Sequence, residues 1–397
     1  YQVTVEANSS TGNTYDGIEH TATGLKTSEF TVEGQKYTVE GLRTSDPKAV
    51  NAGEYANTIS GTPVVKDANG NDVSSQFAVT LVPGKLEIAK RSVTLTSASE
   101  SREYTGEALT NDGVTVGGDG FVAGEGAIYS VTGTITNAGK TTNSFTFAAN
   151  SNTNFDNYTI TKEEGTLEVT PVADKVTVTI TGKSATLPYN GSEQSVTGYD
   201  FKASNPLYKE GDLAFSGKAV AKGTNAGTYN MNLASGQFSN TSANFANVEF
   251  KVVDGSLEIT SGDIDSDKVV WDVHLVQKVY DGTPLSAYVA KATDKFGNTL
   301  KVEYSTDGKQ WTDNPSEITL THVGYQEVKL RATSANYDAG QYAENAEPIM
   351  ITKRLVKLAS KGDSKKYDGK PLTNHTVTVT PKGEGIGFID GEGVTIN

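Results

Sequence analysis

The sequence contains no cysteine, which excludes thiol chemistry and disulfide cross-links from its candidate roles. It has no apolar run long enough to span a bilayer, and no long segment with the apolar spacing of an amphipathic helix. Only 36% of the 397 residues are hydrophobic and 41 are glycine, so the core of any one domain is expected to be thin. The length favours about two to four domains.

Positive charge is also scarce, with 34 basic residues against 48 acidic ones and a net charge of −14. No basic stripe is present that could neutralise a phosphate backbone, so we expect no nucleic-acid binding. The acidic residues are spread along the chain, which is typical of a soluble surface. The chain opens on the strand-like YQVTVEA without a signal peptide, so we expect this end to be a cut within a longer protein.

Candidate catalytic or metal-binding groups are few and scattered. The four histidines are His20, His274, His322 and His375. None has metal-ligand spacing or lies in a nucleophile motif, so the sequence predicts no enzyme, no cofactor and no metal site. Asp263, Asp265 and Asp267 alternate as at the start of a calcium loop, but the required Gly and distal Glu are absent, which favours a solvated linker.

A short turn motif, Tyr-x-Gly, recurs along the whole chain at intervals of 85 to 91 residues. Its copies are Tyr15-Asp16-Gly17, Tyr104-Thr105-Gly106, Tyr189-Asn190-Gly191, Tyr280-Asp281-Gly282 and Tyr367-Asp368-Gly369. An Asx side chain at the second position favours a turn, and Gly supplies a positive φ. We expect each Tyr ring to be buried at a strand end with its hydroxyl in solvent, a structural role.

Two further markers follow the turn in the same order. An Asn-Ala-Gly bend precedes an alternating strand, and a closing strand is written GKLEI, GTLEV, GSLEI and, in diverged form, EPIMI. These markers predict tandem repeats, the fourth diverged and the fifth truncated. Their bounds are 1–90, 91–171, 172–262, 263–353 and 354–397.

Between the markers, runs rich in Val, Thr and Tyr alternate with period two, as half-buried strands do. Examples are 92–97, 176–181, 229–235 and 328–334. We therefore predict an all-β chain of tandem small β-sandwich, immunoglobulin-like domains with very little helix. Because the linkers are short, the domains should form an elongated rod.

The YDGTPLSA and YDGKPLTN strings, the NAG bend and NYTITKEEGTLEVT resemble the MBG/YDG-type repeats of surface proteins from Gram-positive gut bacteria. This resemblance implies a cell-wall-attached, adhesin-like protein whose repeats form a stalk or present ligand-binding faces. The family is related in style to mucin-binding repeats, some of which adopt a β-grasp fold. That alternative fold requires a helix packed on the sheet, and no segment of this sequence is a good candidate.

The only two tryptophans, Trp271 and Trp311, lie in the diverged fourth repeat. Trp311 follows a predicted hairpin turn and Tyr304 lies one strand back, so these two aromatics could contact a ligand or cover a small core. A lysine, an asparagine and a buried acid could also form an isopeptide bond in such repeats, but the sequence assigns no triplet.

The functional prediction is therefore the repeat region of a secreted, bacterial cell-surface adhesin-like protein, serving as an extended stalk and a protein or glycan interaction surface. The alternative is that particular repeats directly bind a host glycoprotein, a mucin or an immunoglobulin, with exposed strand edges as the contact mode. We expect a monomer that does not insert into membranes.

Overall fold

The computed structural model describes residues 1–397 and contains only strands, loops and short 3₁₀ turns. The 3₁₀ turns are Ser74–Gln76, Phe155–Asn157, Glu210–Asp212, Ser235–Gln237, Ser266–Lys268 and Pro315–Glu317. No helix is long and apolar enough to cross a membrane.

The chain divides into two compact units. The first comprises Tyr1–Val176, Asn205–Asp212 and Thr241–Glu249. The second comprises Thr177–Ser204, Leu213–Asn240 and Phe250–Asn397.

The strands of residues 1–171 are mostly short, and each pairs only with strands of its own predicted repeat. They are β1 (Gln2–Glu6), β2 (Ser10–Thr14), β3 (His20–Thr21), β4 (Glu29–Val32), β5 (Gln35–Thr44), β6 (Lys48–Ala49), β7 (Gly53–Asn57), β8 (Ile59–Asp67), β9 (Ala78–Val82), β10 (Gly84–Ala89), β11 (Arg91–Ser97), β12 (Glu100–Glu103), β13 (Val114–Gly118), β14 (Ala127–Val131), β15 (Gly139–Asn143), β16 (Phe145–Ala149), β17 (Tyr158–Glu163) and β18 (Gly165–Thr170).

The remaining strands are also mostly short, except for two of ten residues each at 324–333 and 343–352. They are β19 (Val176–Gly182), β20 (Ala185–Pro188), β21 (Gln194–Thr197), β22 (Tyr199–Ala203), β23 (Leu213–Phe215), β24 (Val220–Gly223), β25 (Gly227–Asn230), β26 (Phe238–Asn240), β27 (Val248–Val253), β28 (Ser256–Thr260), β29 (Val270–Asp272), β30 (Val276–Val279), β31 (Leu285–Ser286), β32 (Lys291–Thr293), β33 (Thr299–Ser305), β34 (Thr319–Leu320), β35 (Gly324–Thr333), β36 (Ala343–Thr352), β37 (Leu358–Ser360) and β38 (Val377–Val379).

The second repeat is a sandwich of two three-stranded sheets, with β14 and β16 paired in a further two-stranded sheet. In one, β11 is parallel to β17 and antiparallel to β13. In the other, β18 is parallel to β12 and antiparallel to β15. The first strand of the repeat consists of β11 and β12, and the last, or closing, strand consists of β17 and β18. The two run side by side in parallel, and both pass from one sheet to the other. Leu95 and Leu167, from the two sheets, are fully buried.

The fourth repeat is built differently. Six of its strands form one sheet in the order β29-β32-β33-β35-β36-β30, and β31 pairs with β34 in a separate two-stranded sheet. β35 and β36 have ten residues each and pair antiparallel from Gly324 opposite Ile351 to Ala332 opposite Ala343. No glycine interrupts the closing strand, because Glu347 occupies that position.

The prediction of an all-β chain of tandem small β-sandwich domains is confirmed. The predicted strand at 229–235 is wrong beyond Asn230, where β25 ends. Asn232 has a φ of +60°, which breaks the extended run, although Met231 and Leu233 are still buried. The β-grasp alternative required an α-helix, and the structure has none. The repeat bounds stay a prediction.

Candidate functional site: the repeat junctions and a tryptophan groove

The Tyr-x-Gly turn has the same backbone geometry in all five copies. The five glycines have φ between +71° and +83°. In each copy the side-chain oxygen of the middle residue accepts a backbone N–H two residues on, at 2.9 to 3.3 Å. These local bonds hold the turn, as the Asx and Gly chemistry predicts.

The Tyr of the first turn lies within a junction between two repeats. Tyr15 is only 4% exposed and belongs to a hydrophobic cluster that also contains Leu86 of its own repeat and Leu95 of the next. The Tyr15 hydroxyl donates to Glu125 Oε1 at 2.5 Å, and the Tyr158 hydroxyl donates to Glu125 Oε2 at 2.5 Å. The prediction of a solvent-exposed hydroxyl is therefore wrong for Tyr15.

Burial dominates the electrostatics of this junction. It raises the pKa of Tyr158 to about 12, and the bond to Glu125 adds to the effect. The same two causes, burial first, raise the pKa of Tyr15. Both hydroxyls therefore remain protonated donors through the physiological range, and Glu125 receives both of them.

A second contact fixes the Asn-Ala-Gly bend. Asn157 Oδ1 accepts the Ala52 backbone N–H at 2.9 Å, and Asn157 Nδ2 donates to Asn51 Oδ1 at 3.0 Å. The same pair of bonds recurs between Asn244 and the bend at Asn137 and Ala138, and between Asn336 and the bend at Asn225 and Ala226. One asparagine thus clamps the bend of the preceding repeat at three successive junctions.

The third junction repeats the tyrosine contact with different residues. The hydroxyls of Tyr189 and Tyr337 both donate to Asp294 Oδ2, at 3.2 and 2.9 Å. The two rings meet edge to face with centroids 5.8 Å apart. Burial raises the pKa of Tyr337, and the bond to Asp294 raises it further. The contact combines an acid with an edge-to-face aromatic pair, as Glu125, Tyr15 and Tyr158 do in the first junction.

The second and fourth junctions keep parts of this arrangement. Tyr104 packs edge to face on Phe245, with centroids 5.8 Å apart. The Tyr280 hydroxyl donates to Glu392 at 2.7 Å. Tyr367, in the fifth turn, is 96% exposed. The Tyr-x-Gly turns of repeats one to four are therefore contact points with the next repeat.

The Tyr-x-Gly motif identifies these tyrosines in the sequence, but the residues that they contact were not predicted. Glu125 and Glu392 occupy the same position in the matching strings GFVAGEG and GFIDGEG, which was a usable signal. Asn157, Asn244 and Asn336 each directly precede an aromatic residue, a pattern too short to stand out.

The structure separates the two aromatics predicted to contact a ligand. Tyr304 is 2% exposed, and its hydroxyl accepts the Ala290 backbone N–H at 2.8 Å, so its ring belongs to the core. This corrects the prediction for Tyr304, which points inward from β33. Trp311 lies at the surface, where the Arg331 guanidinium is 4.4 Å from the centre of its ring and 4.3 Å from that of Tyr342.

Trp311 stands between two grooves of the fourth repeat. One of about 400 Å³ is also lined by Glu327, Lys329, Glu344 and Asn345, among others. The other, of about 280 Å³, lies towards Asp307, Gln310 and Glu317. Both are open and largely polar, with Trp311 as their shared aromatic wall.

No group of three or more His, Cys, Asp or Glu is arranged to hold a metal ion. The alternating Asp263, Asp265 and Asp267 lie in the segment before β29. No lysine is among the buried residues, so no buried lysine is available for an isopeptide bond.

Comparisons with known proteins give distant likenesses only. No family model matches the sequence, and no curated protein matches it. Drosophila N-cadherin EC1-4 is 10% identical, with a TM-score of 0.21 over 75% of this chain and 83% of that one. A SusE-like surface-located polysaccharide-binding protein of Bacteroides thetaiotaomicron is 12% identical, with a TM-score of 0.14 over 82% and 56%. The Bacillus anthracis TIE protein is 9% identical, with a TM-score of 0.18 over 88% and 72%. All three TM-scores are below 0.5, so no argument rests on these likenesses.

Proposed function

We propose that this chain is the repeat region of a secreted, cell-wall-attached bacterial adhesin-like protein, in which the repeats act as an extended stalk. The observation that carries the proposal is the recurring junction. A Tyr-x-Gly turn and an Asn-Ala-Gly bend on one repeat contact an acid, an aromatic residue and an asparagine on the next. Repeated contacts of this kind restrict bending, which is what a stalk needs.

The absence of cysteine allows a direct test of junction stiffness. Spin labels would be attached to the exposed positions Glu40→Cys in the first repeat and Thr146→Cys in the second. We expect a narrow distance distribution between the labels, which broadens when Asn157→Ala is added. A broad distribution in the chain with native Asn157 would contradict the stalk. Thr142→Ala, an exposed change away from the junction, is the control.

A second candidate function, direct binding of a host glycoprotein such as a mucin or an immunoglobulin, is favoured by the position of Trp311 between two grooves. Aromatic side chains in such positions stack on sugars or fill protein pockets. The full chain would be tested on a glycan array, on mucin and on immunoglobulin. We expect Trp311→Ala to lower binding at least tenfold and Ile128→Ser, which changes an exposed apolar residue of the second repeat, to leave it unchanged. No binding at micromolar concentration would remove this candidate.

A further inference from the structure

The closing strand of the fourth repeat carries a substitution that sets it apart from the other three. GKLEI, GTLEV and GSLEI begin with Gly84, Gly165 and Gly255, whereas EPIMI begins with Glu347. The residues that follow keep their inward positions, since Leu86, Leu167, Leu257 and Ile349 are all fully buried. Glu347 therefore occupies the position of a glycine.

The three glycines lie against the backbone of the first strand of their repeats. A Cβ on Gly84 would be 2.2 Å from the carbonyl oxygen of Asn8. A Cβ on Gly165 would be 2.4 Å from that of Ala98, and one on Gly255 would be 2.4 Å from that of Lys183. No side chain fits at this position unless the first strand moves away. In the fourth repeat the first half of the first strand, β29, pairs with β32 and not with the closing strand, and the Glu347 side chain lies inside.

The Glu347 carboxylate is buried without a partner. The residue is 1% exposed, and neither Oε1 nor Oε2 has a hydrogen bond. The backbone amides of Tyr288 and His274 lie near enough to lower its pKa in part, but not in hydrogen-bonding geometry. Its neighbours on the same strand and across from it, Ile349 and Val328, belong to an apolar cluster.

No cation faces the Glu347 carboxylate from the elements packed around it. The charged and titratable groups on these elements are Asp272 and His274 before β30, Lys278 on β30, Tyr288 before β32, Lys301, Glu303 and Tyr304 on β33, Tyr325, Glu327, Lys329 and Arg331 on β35, and Glu344 on β36. Arg331 and Lys301 pair with Glu303, and Lys278 pairs with Asp281. The imidazole of His274 is mostly exposed and pairs with Asp272 at 2.8 Å. Glu327, Lys329 and Glu344 are exposed. Burial raises the pKa of Glu347 to about 7, and the two nearby backbone amides offset this only in part.

We propose that Glu347 is a proton-binding site that makes the fourth repeat sensitive to pH. In mild acid the neutral carboxyl fits the apolar interior, and the repeat is closed. Above neutral pH the carboxylate ionises and draws water towards it, which loosens the cover formed by residues 273–275 and 287–290. The other three complete repeats have glycine at this position and therefore lack the proton-binding carboxylate.

The direction of the effect follows from proton linkage. An acid whose pKa is higher in the folded state than in the unfolded one binds more protons when folded at intermediate pH. Stability therefore falls as pH rises from the ordinary glutamate range towards about 7, and it stays at the lower level above that. Carboxylates with lowered pKa values, such as Glu303 beside Arg331, act in the opposite direction but at lower pH.

Tryptophan fluorescence tests this proposal in the full chain, because both tryptophans lie in the fourth repeat. Urea unfolding would be followed by fluorescence at pH 5 and pH 8. We expect an unfolding constant roughly ten to a hundred times larger at pH 8 than at pH 5. Glu347→Gln should remove most of this difference and be the more stable protein at pH 8. Glu344→Gln, an exposed change on the same strand, and His274→Gln should both retain the difference.

The same pH difference in Glu347→Gln as in the native chain, or no difference in the native chain, would overturn the proposal. If Glu347→Gln does not fold, a carbon-13 NMR titration of glutamate carboxyl groups in the native chain gives an independent answer. One resonance, that of Glu347, should titrate near pH 7. If every glutamate titrates in the ordinary range, the site does not exist.

Discussion

The second and fourth repeats use the same markers to build different sheets. In the second, Gly165 lets the first strand cross closely over the closing strand, so β17 and β18 belong to two sheets. In the fourth, Glu347 occupies this position, β29 pairs with β32 instead of the closing strand, and β36 runs unbroken through one sheet. The position that is glycine in the second repeat and Glu347 in the fourth therefore lies where the paths of the two first strands differ.

The two repeats also differ at the bend. In the second, Asn137-Ala138-Gly139 is held by Asn244 of the third repeat through two hydrogen bonds. In the fourth, the bend is His322-Val323-Gly324, and all three residues are exposed. The bend of the second repeat is therefore a contact with the next repeat, whereas the bend of the fourth is exposed. The fourth repeat also differs in having a buried carboxylate, that of Glu347.

The largest expected effect comes from giving the second repeat a side chain at the crossing. Gly165→Ala would place a Cβ 2.4 to 2.5 Å from the carbonyl oxygens of Ala98 and Ser97. Because backbone atoms cannot rotate away as a side chain does, we expect a loss of about 3 kcal/mol or more in the free energy of unfolding of this repeat. Calorimetry with hydrogen exchange of residues 158–170 measures the loss.

The matched control for this prediction is Gly126→Ala in the same repeat. Its Cβ would be 3.4 Å from the flexible Asn150 amide, and its φ is ordinary, so a change below about 1 kcal/mol is expected. Equal stability of Gly165→Ala and Gly126→Ala would show that the crossing does not depend on glycine.

A smaller effect is expected from removing one bend clamp. Asn157→Ala deletes the acceptor for the Ala52 N–H and the donor to Asn51. With a polar group left without its partner at a buried site, we expect about 2 kcal/mol of lost stability at the first junction. Hydrogen exchange at residues 51–53 should become faster, and exchange at the exposed bend of the fourth repeat should not change. Unaltered exchange at the first bend would mean that the clamp has no energetic role.

The smallest effect concerns the tyrosine hydroxyl. Tyr15→Phe removes one donor to Glu125 in a buried setting, and we expect a loss of about 1 kcal/mol. Tyr280→Phe in the fourth repeat removes an exposed bond to Glu392 of the fifth, and the expected loss is below about 0.5 kcal/mol. Thermal unfolding of the two variants gives the comparison, and a larger loss in Tyr280→Phe would reverse the order proposed here.

The parts of the fold that depend on neighbours in sequence could be predicted. Asp16 and Gly17 build their turn from bonds within a few residues, and Leu257 and Ile259 point inward by strand alternation. Contacts across repeats could not be predicted, because Glu125 lies 110 residues from Tyr15. The sequence left Tyr304 as either a ligand contact or part of a small core, because a Tyr near a turn fits either face, and the structure places it in the core.

The proposed stalk requires junctions that hold successive repeats in a fixed relation. Small-angle X-ray scattering of the full chain and of a triple variant, Asn157→Ala with Asn244→Ala and Asn336→Ala, tests this most directly. We predict a radius of gyration well above the ~21 Å of a compact chain of this length. In the triple variant the distribution of interatomic distances should broaden while circular dichroism stays the same. A compact native chain, or identical scattering from the two proteins, would contradict the account.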